Sequence, residues 1–285
     1  MTPNPDDTLK AEAMQYLRAE YAGILTENQI EEHYRNHVEF LEAEKMFRHL
    51  DSALDGQMPG TLLDVGCGFG SFVLLCRNKG IEAVGAELAE FDVRFARKRY
   101  ELSGTPGASE SIYVRADALN LPFPENSFEV VTLWNLVEHV PDYRQLIRET
   151  WRIMKPGGSL ILIAPNYAAF RREAHYHLPW LPLLPKPVAR WYLRLCGRSP
   201  RFLDTSIFYC TNRGVLNACR ETGYRIIVPG VDKILDPESC RSNKTRLVAE
   251  WTRRLRIQLI MISLLKARHS CPLKPTILIV AKKDR

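Results

Sequence analysis

No stretch of this 285-residue chain is apolar for long enough to cross a bilayer. The longest run, Ile257 to Leu265, has nine residues and is interrupted by Gln258 and Ser263; a spanning helix needs about 20. The first 30 residues carry Asp6, Asp7, Glu12 and Glu20 and no apolar segment, so no secretory leader is expected. No C-x-x-C occurs among Cys67, Cys76, Cys196, Cys210, Cys219, Cys240 and Cys271. Their odd number and scatter exclude a disulfide framework and a structural zinc site, and point to thiols in a reducing, cytoplasmic setting. No repeat or low-complexity tract is visible. A composition of 46% apolar and 25% charged residues excludes a disordered or fibrous chain.

What is present is a steep charge gradient beneath a modest net charge of +6. Residues 1–150 hold 14 Lys+Arg against 25 Asp+Glu, and residues 151–285 hold 25 against 8. A half this basic predicts an anionic partner: a phosphorylated or carboxylated substrate, a membrane surface or nucleic acid.

The apolar pattern divides the chain at about residue 55. Residues 10–55 read as helices, with Tyr34, Val38, Leu41, Phe47 and Leu50 near a helical stripe. From residue 56 onward, short apolar runs alternate with helical stretches. Strands are expected at Thr61–Val65, Glu82–Ala86, Ser111–Arg115, Glu129–Leu133 and Ser159–Ala164. Helices are expected through Lys79, at Glu90–Leu102 and at Tyr143–Met154. That rhythm predicts an α/β fold, a parallel sheet with helices on both faces. Residues 165–210 interrupt it with six prolines and one expected short helix, Pro187–Leu195. Beyond lie a helix at Thr211–Thr222, a strand at Tyr224–Pro229, a basic amphipathic helix at about 244–267 and a closing strand at Thr276–Ala281.

The most specific segment is Asp64-Val65-Gly66-Cys67-Gly68-Phe69-Gly70-Ser71, an apolar strand running into a glycine turn that opens a helix. Glycines serve where φ is positive or where a ligand touches the main chain. In an open α/β sheet that turn faces the ligand crevice. A dinucleotide fingerprint requires G-x-G-x-x-G and a P-loop requires G-K-[ST]; this turn is G-x-G-x-G and ends in Ser71. Asp64 is suited to accept from an ammonium group.

At these residues the chain resembles the class I S-adenosylmethionine (SAM)-dependent methyltransferases of the small-molecule, ubiquinone-pathway-like group. Further segments match in order: Val84-Gly85-Ala86-Glu87, Arg115-Ala116-Asp117-Ala118-Leu119, Val130 to Val140, and Arg152-Ile153-Met154-Lys155-Pro156-Gly157-Gly158. The resemblance covers about residues 60–165. It implies a Rossmann-like seven-stranded sheet, mostly parallel with an antiparallel last strand. To this the sequence adds N-terminal helices (1–55) and an insertion after the fifth strand, within a methyltransferase domain of residues 56–285. It implies SAM as cofactor, held by Asp64, Gly66, Cys67, Gly68, Gly70, Glu87, Leu88, Asp117, Ala118 and Asn135. In that scheme Glu87 takes the ribose hydroxyls and Asp117 the adenine amino group.

For the acceptor, His139 is the leading candidate general base, with packing beside the cofactor as the alternative. An unperturbed pKa of about 6.5 suits a base. Ubiquinone-pathway O-methyltransferases are similar here but carry Glu-x-x-Glu-His, a divalent-metal motif. This chain has Asn135 at the first position, ahead of Glu138-His139, so no metal is expected. The [DN]-P-P-[FY] motif of base N-methyltransferases is missing, and no nucleic-acid partner is expected. The insertion, with His175, Tyr176, His177, Trp180 and later Tyr209, is expected to bind the acceptor. Arg190, Arg194, Arg198 and Arg201 follow it. The expected reaction is O-methylation of an anionic or amphiphilic non-protein acceptor: a lipid-linked saccharide, a glycan or a prenylated phenol. N- or C-methylation of a soluble small molecule and a non-catalytic SAM-binding role are the alternatives. The basic segments predict a peripheral site at the inner face of a membrane.

Overall fold

The computed structural model describes residues 5–228, 230–239 and 243–284. Cys240, Pro229 at the expected end of the strand from Tyr224, and the first four residues lie outside that set. Helices α1 (Pro5–Glu20), α2 (Glu27–Val38) and α3 (Leu41–Ala53) come first. The chain leaves the helical conformation between α2 and α3 at Phe40, whose φ is +64°.

A seven-stranded sheet follows. Strands β1 (Thr61–Val65), β2 (Glu82–Glu87) and β3 (Tyr113–Arg115) alternate with helices α4 (Ser71–Asn78), α5 (Glu90–Leu102) and the turn α6 (Ser109–Ile112). Then come β4 (Phe128–Trp134), α7 (Tyr143–Ile153) and β5 (Met154–Pro165). The insertion holds a two-stranded ribbon, β6 (Arg171–Arg172) with β7 (Pro179–Trp180), and helices α8 (Lys186–Leu195) and α9 (Arg201–Thr205). Helix α10 (Asn212–Thr222), β8 (Arg225–Ile227), α11 (Val231–Leu235), α12 (Asn243–Arg254), α13 (Gln258–His269) and β9 (Thr276–Lys282) complete the chain. The strand order is β3-β2-β1-β4-β5-β9-β8, with β9 antiparallel to both β5 and β8 and the other pairs parallel. This is the expected Rossmann-like sheet.

Alternate residues of the central strands face opposite cores, as the period of two requires. Leu63, Val131, Leu133, Leu160 and Leu162 pack with α7, α10 and the N-terminal helices. Leu62, Val130 and Ile161 pack with α3 and α4 and most of the buried face of α5. Helix α7 is started by Asp142, whose side chain accepts from the N–H groups of Arg144 and Gln145. Leu17, Ile24 and Val38 share the first of these cores, so α1 and α2 cover the sheet rather than trailing from it.

Four expectations need correction. The strand expected at Ser159–Ala164 begins five residues earlier, at Met154. The strand expected at Ser111–Arg115 begins only at Tyr113, because Ser109–Ile112 close a helical turn first. The insertion holds a ribbon and a second short helix besides the expected one, since two-residue strands leave no period to read. The helix expected at 244–267 is two helices, parted at Arg256, whose φ is +55°. No glycine or proline marks that break. Among the described residues no helix is long and apolar enough to cross a membrane. Helices α12 and α13 nevertheless expose Leu247, Val248, Trp251, Leu259, Ile260 and Leu264.

Candidate active site

The carboxyl ends of β1, β2, β3 and β4 lie along one edge of the sheet. After β1 the chain steps outward to β2 and β3, then returns to place β4 on the other side of β1. Such a reversal leaves a crevice above the strand ends. The glycine turn stands there, with Gly66, Gly68 and Gly70 all at positive φ, +73°, +50° and +76°. Gly66 and Gly70 are also sterically confined. A Cβ would fall 2.8 Å from Leu136 Cδ1 at the first and 2.5 Å from Tyr113 Cε1 at the second. At Gly68 a Cβ would meet nothing within 4 Å, so this is where the main chain lies open to a ligand.

A cavity of about 340 Å³ sits over the turn. Its floor includes Asp64, Gly66, Cys67, Gly68 and Asn135, and its far wall includes Glu138, His139, His175 and His177. Helices α1 and α2 close it with Tyr16, Leu17, His33 and His37. Five of the chain's seven histidines therefore line one space. His33 and His37 were not anticipated, although their i, i+4 spacing places them on one helical face.

Asp64 is 2% exposed and accepts a 2.7 Å hydrogen bond from Thr132 Oγ1. Burial raises its pKa to about 8, with the Glu87 charge adding to the effect. Asp92, on α5 in the same cavity wall, is raised by burial to about 7. The Glu87 carboxylate stands at the tip of β2. It accepts from the N–H of Gly68 at 3.0 Å, and from Leu88 and Ala89 at 2.7 and 2.9 Å. Asp117 is exposed at the tip of β3 and accepts from the N–H of Leu119. Glu87, Leu88, Gly70, Asp117 and Ala118 do not line the cavity; all but Gly70 lie beside it, along the β2 and β3 end of the crevice.

His139 Nδ1 lies 2.7 Å from the carbonyl oxygen of Ser206, and its Nε2 lies 3.1 Å from Nε2 of His175. Burial, followed by the His175 ring, lowers the His139 pKa to about 4. Burial alone would lower His175 too, but the adjacent Glu173 carboxylate raises it. Glu173 is buried and was missed in the sequence; its only signal is the spacing Glu173-x-His175.

Tyr176 and Trp180 do not bind in the cavity as expected. Both are fully buried, and the Tyr176 hydroxyl accepts from the N–H of Leu203 inside the core. Their apolar bulk anchors the insertion. Tyr209 stacks on Tyr167 at 4.6 Å and is also absent from the cavity wall.

The family described as a methyltransferase domain matches residues 63–162, the segment that builds this crevice. Residues 63–162 form a class I SAM-dependent methyltransferase domain. Demethylmenaquinone methyltransferase of Thermus thermophilus is 34% identical over 118 residues, 41% of this chain and 51% of that protein. The Staphylococcus epidermidis protein of the same name is 34% identical over 131 residues, 45% of this chain and 53% of its own. The chain thus spans about half the length of these curated relatives. The solved structure of the [4+2]-cyclase SpnF aligns with a TM-score of 0.51 at 19% identity, over 83% of this chain and 81% of that one. Phosphoethanolamine N-methyltransferase 2 of Haemonchus contortus, in complex with SAM, aligns at 0.50 and 16% identity, over 84% and 52%. These likenesses concern the fold, which serves a cyclase as well as a methyltransferase.

The methyltransferase domain has the groups that SAM requires. The main chain is open at Gly68, a buried carboxylate at Asp64 is suited to a cation, and Glu87 and Asp117 offer acceptors along the crevice. When bound, SAM supplies an electrophilic methyl group on a sulfonium.

Proposed function

We propose that this chain transfers the methyl group of SAM to an amphiphilic, non-protein acceptor bearing a phenol-type hydroxyl. The observation that carries the reading is the walled cavity itself. One wall is the glycine turn with buried Asp64; the other is a set of histidine and tyrosine side chains contributed by α1, α2 and the insertion. Methyl transfer from a sulfonium depends heavily on alignment of the reacting atoms, and a cavity closed on several sides supplies that alignment. A hydroxyl acceptor also has a proton to lose, and the wall of the cavity offers histidine and carboxylate side chains toward which it can go. The relatives named above are demethylmenaquinone methyltransferases, and a quinone acceptor supports the amphiphilic class over a free glycan.

The exposed face of α12 and α13 supports delivery of such an acceptor from a lipid surface. Residues 243–269 carry seven Lys and Arg against the single acid Glu250, interleaved with exposed Trp251, Leu259 and Ile260. Apolar side chains beside cations suit an anionic bilayer interface.

The test uses methyl-labelled SAM with purified protein and a set of prenylated and unprenylated phenols. Label partitioning into the organic phase only with prenylated acceptors is the expected result, and mass spectrometry with NMR of the product assigns the methylated atom. Turnover confined to water-soluble acceptors would reject the amphiphilic reading. SAM binding without turnover would favour a non-catalytic role.

A further inference from the structure

His139 and His175 reach each other from distant segments, the turn after β4 and the insertion. Their Nε2 atoms face each other at 3.1 Å. The other nitrogen of each ring is already committed. His139 Nδ1 meets the Ser206 carbonyl at 2.7 Å, and a carbonyl has no hydrogen to give, so Nδ1 carries the proton. The Glu173 carboxylate accepts from the Tyr167 hydroxyl and from the backbone N–H groups of His175 and Tyr176. It also accepts from His175 Nδ1 at 2.9 Å. Both Nε2 atoms are thereby left as acceptors, lone pair toward lone pair.

Glu138 brings a third acceptor to the same point. Its side chain is 1% exposed, Oε1 lies 4.0 Å from His139 Nε2, and Oε2 has no hydrogen-bond partner among the described residues. One ligand atom from each of the three residues lies within 4.8 Å of the other two. A proton shared between the two rings would satisfy the nitrogens and leave the buried carboxylate unserved. A divalent cation satisfies all three. We propose that Glu138, His139 and His175 bind one divalent transition-metal ion of the zinc class.

The donor set and its surroundings suit that ion. Two imidazoles and one carboxylate with a position left open is a recurrent catalytic zinc arrangement, whereas magnesium and calcium prefer oxygen alone. With metal–nitrogen bonds of about 2.0–2.1 Å, two nitrogens 3.1 Å apart subtend roughly 100° at the metal, near the tetrahedral angle. The Ser206 carbonyl and Glu173 act behind the ligands, fixing each ring's tautomer and aim. Asn135 does weaken the Glu-x-x-Glu-His spacing, but the further nitrogen donor comes from the insertion, which no local motif records. All three ligands line the acceptor cavity. On the methyl-transfer reading, the open position takes the acceptor's hydroxyl oxygen and favours loss of its proton. That last step rests on the proposed reaction; the metal site does not.

The experiment strips the full-length protein with a chelator and titrates it with Zn²⁺ alone and with Co²⁺ alone. The expected result is one equivalent bound, with the intense visible absorption of four-coordinate Co²⁺. His139→Ala and His175→Ala should each weaken binding by roughly 100-fold or more, as loss of a ligand exceeds the loss of an outer partner. His177→Ala removes a histidine of the same cavity outside the cluster and should leave metal affinity unchanged. Circular dichroism and SAM affinity, measured on every variant, separate loss of a ligand from loss of the fold. Absence of stoichiometric binding, or wild-type affinity in folded His175→Ala, would overturn the site. Metal binding with no methyl transfer would leave the site standing and reject only the proposed reaction.

Discussion

The backbone N–H of Gly68 donates to Oε2 of Glu87 across 3.0 Å, joining the glycine turn after β1 to the tip of β2. Oε1 of the same carboxylate accepts from the N–H groups of Leu88 and Ala89. Three backbone donors thus orient one side chain at the crevice. Glu87→Gln places an amide NH₂ against one of those donors and should weaken SAM binding by about 1.5–3 kcal/mol, the range for hydrogen bonds to a charged group. Isothermal calorimetry at fixed pH and salt checks it; unchanged affinity would remove Glu87 from the cofactor site.

The glycines of the turn should separate by substitution to alanine. At Gly70 the added methyl would fall 2.5 Å from Tyr113 Cε1 and 2.8 Å from Ala96 Cβ. Gly70→Ala should therefore lower stability by about 2–4 kcal/mol through overpacking and unfavourable φ. Gly68→Ala has open space and should cost only about 1 kcal/mol for its φ, yet it should weaken SAM binding strongly by occupying the ligand's place. Thermal melts with and without SAM distinguish the two. Equal behaviour in both assays would show that Gly68 is not the point of ligand contact.

Asp64 predicts a pH dependence. Its folded-state pKa of about 8 lies above its ordinary value of 3.8. Between those values the folded protein holds a proton that the unfolded chain has released. Ligand-free stability should therefore fall as pH rises from 4 to 8, and Asp64→Asn should remove this part of the slope. A cationic ligand group reverses the preference, so SAM affinity should rise as pH approaches 8, with proton release at lower pH. Urea unfolding across pH, and calorimetry in buffers of differing ionisation enthalpy, measure both. A slope unchanged in Asp64→Asn would assign it to another group.

Tyr176 is predicted to be a packing residue. Tyr176→Phe leaves the Leu203 N–H without its acceptor in the core and should cost about 1–3 kcal/mol of stability. SAM affinity and turnover of the folded fraction should stay near wild type. A selective loss of acceptor affinity at full stability would return Tyr176 to the acceptor site.

The exposed helices should bind anionic vesicles with steep salt dependence. Trp251 and Leu259 are 59% and 78% exposed. Substituting both by serine should reduce vesicle partitioning by tenfold or more, without lowering turnover of a short-chain acceptor. Equal sedimentation of variant and wild type would direct attention to another surface.

Much of the sheet was legible because several of its strands are short apolar runs that alternate with helical stretches. Thr61–Val65, Glu82–Glu87 and Phe128–Trp134 lie within one residue of the expected limits. The glycine turn was legible because its spacing is local. The division of α12 from α13 was not, since Arg256 turns left-handed with no residue there that demands it. The roles of Tyr176 and Trp180 were misread, because an aromatic, proline-rich segment looks the same whether it faces a ligand or the core.

The sequence by itself determined the alternation of strands and helices, the turn over which a cofactor sits, and the charge gradient along the chain. Each is written within a few consecutive residues or in a plain sum, so no long-range contact is needed to read it. Only the tertiary structure decided that α1 and α2 close the cavity, that His33 and His37 share it with His139, and that Glu173 aims His175 at His139. Those pairings cross 36 to more than 100 residues of chain. They arise from which faces the cores bury, a property of the whole packed molecule that no local window contains.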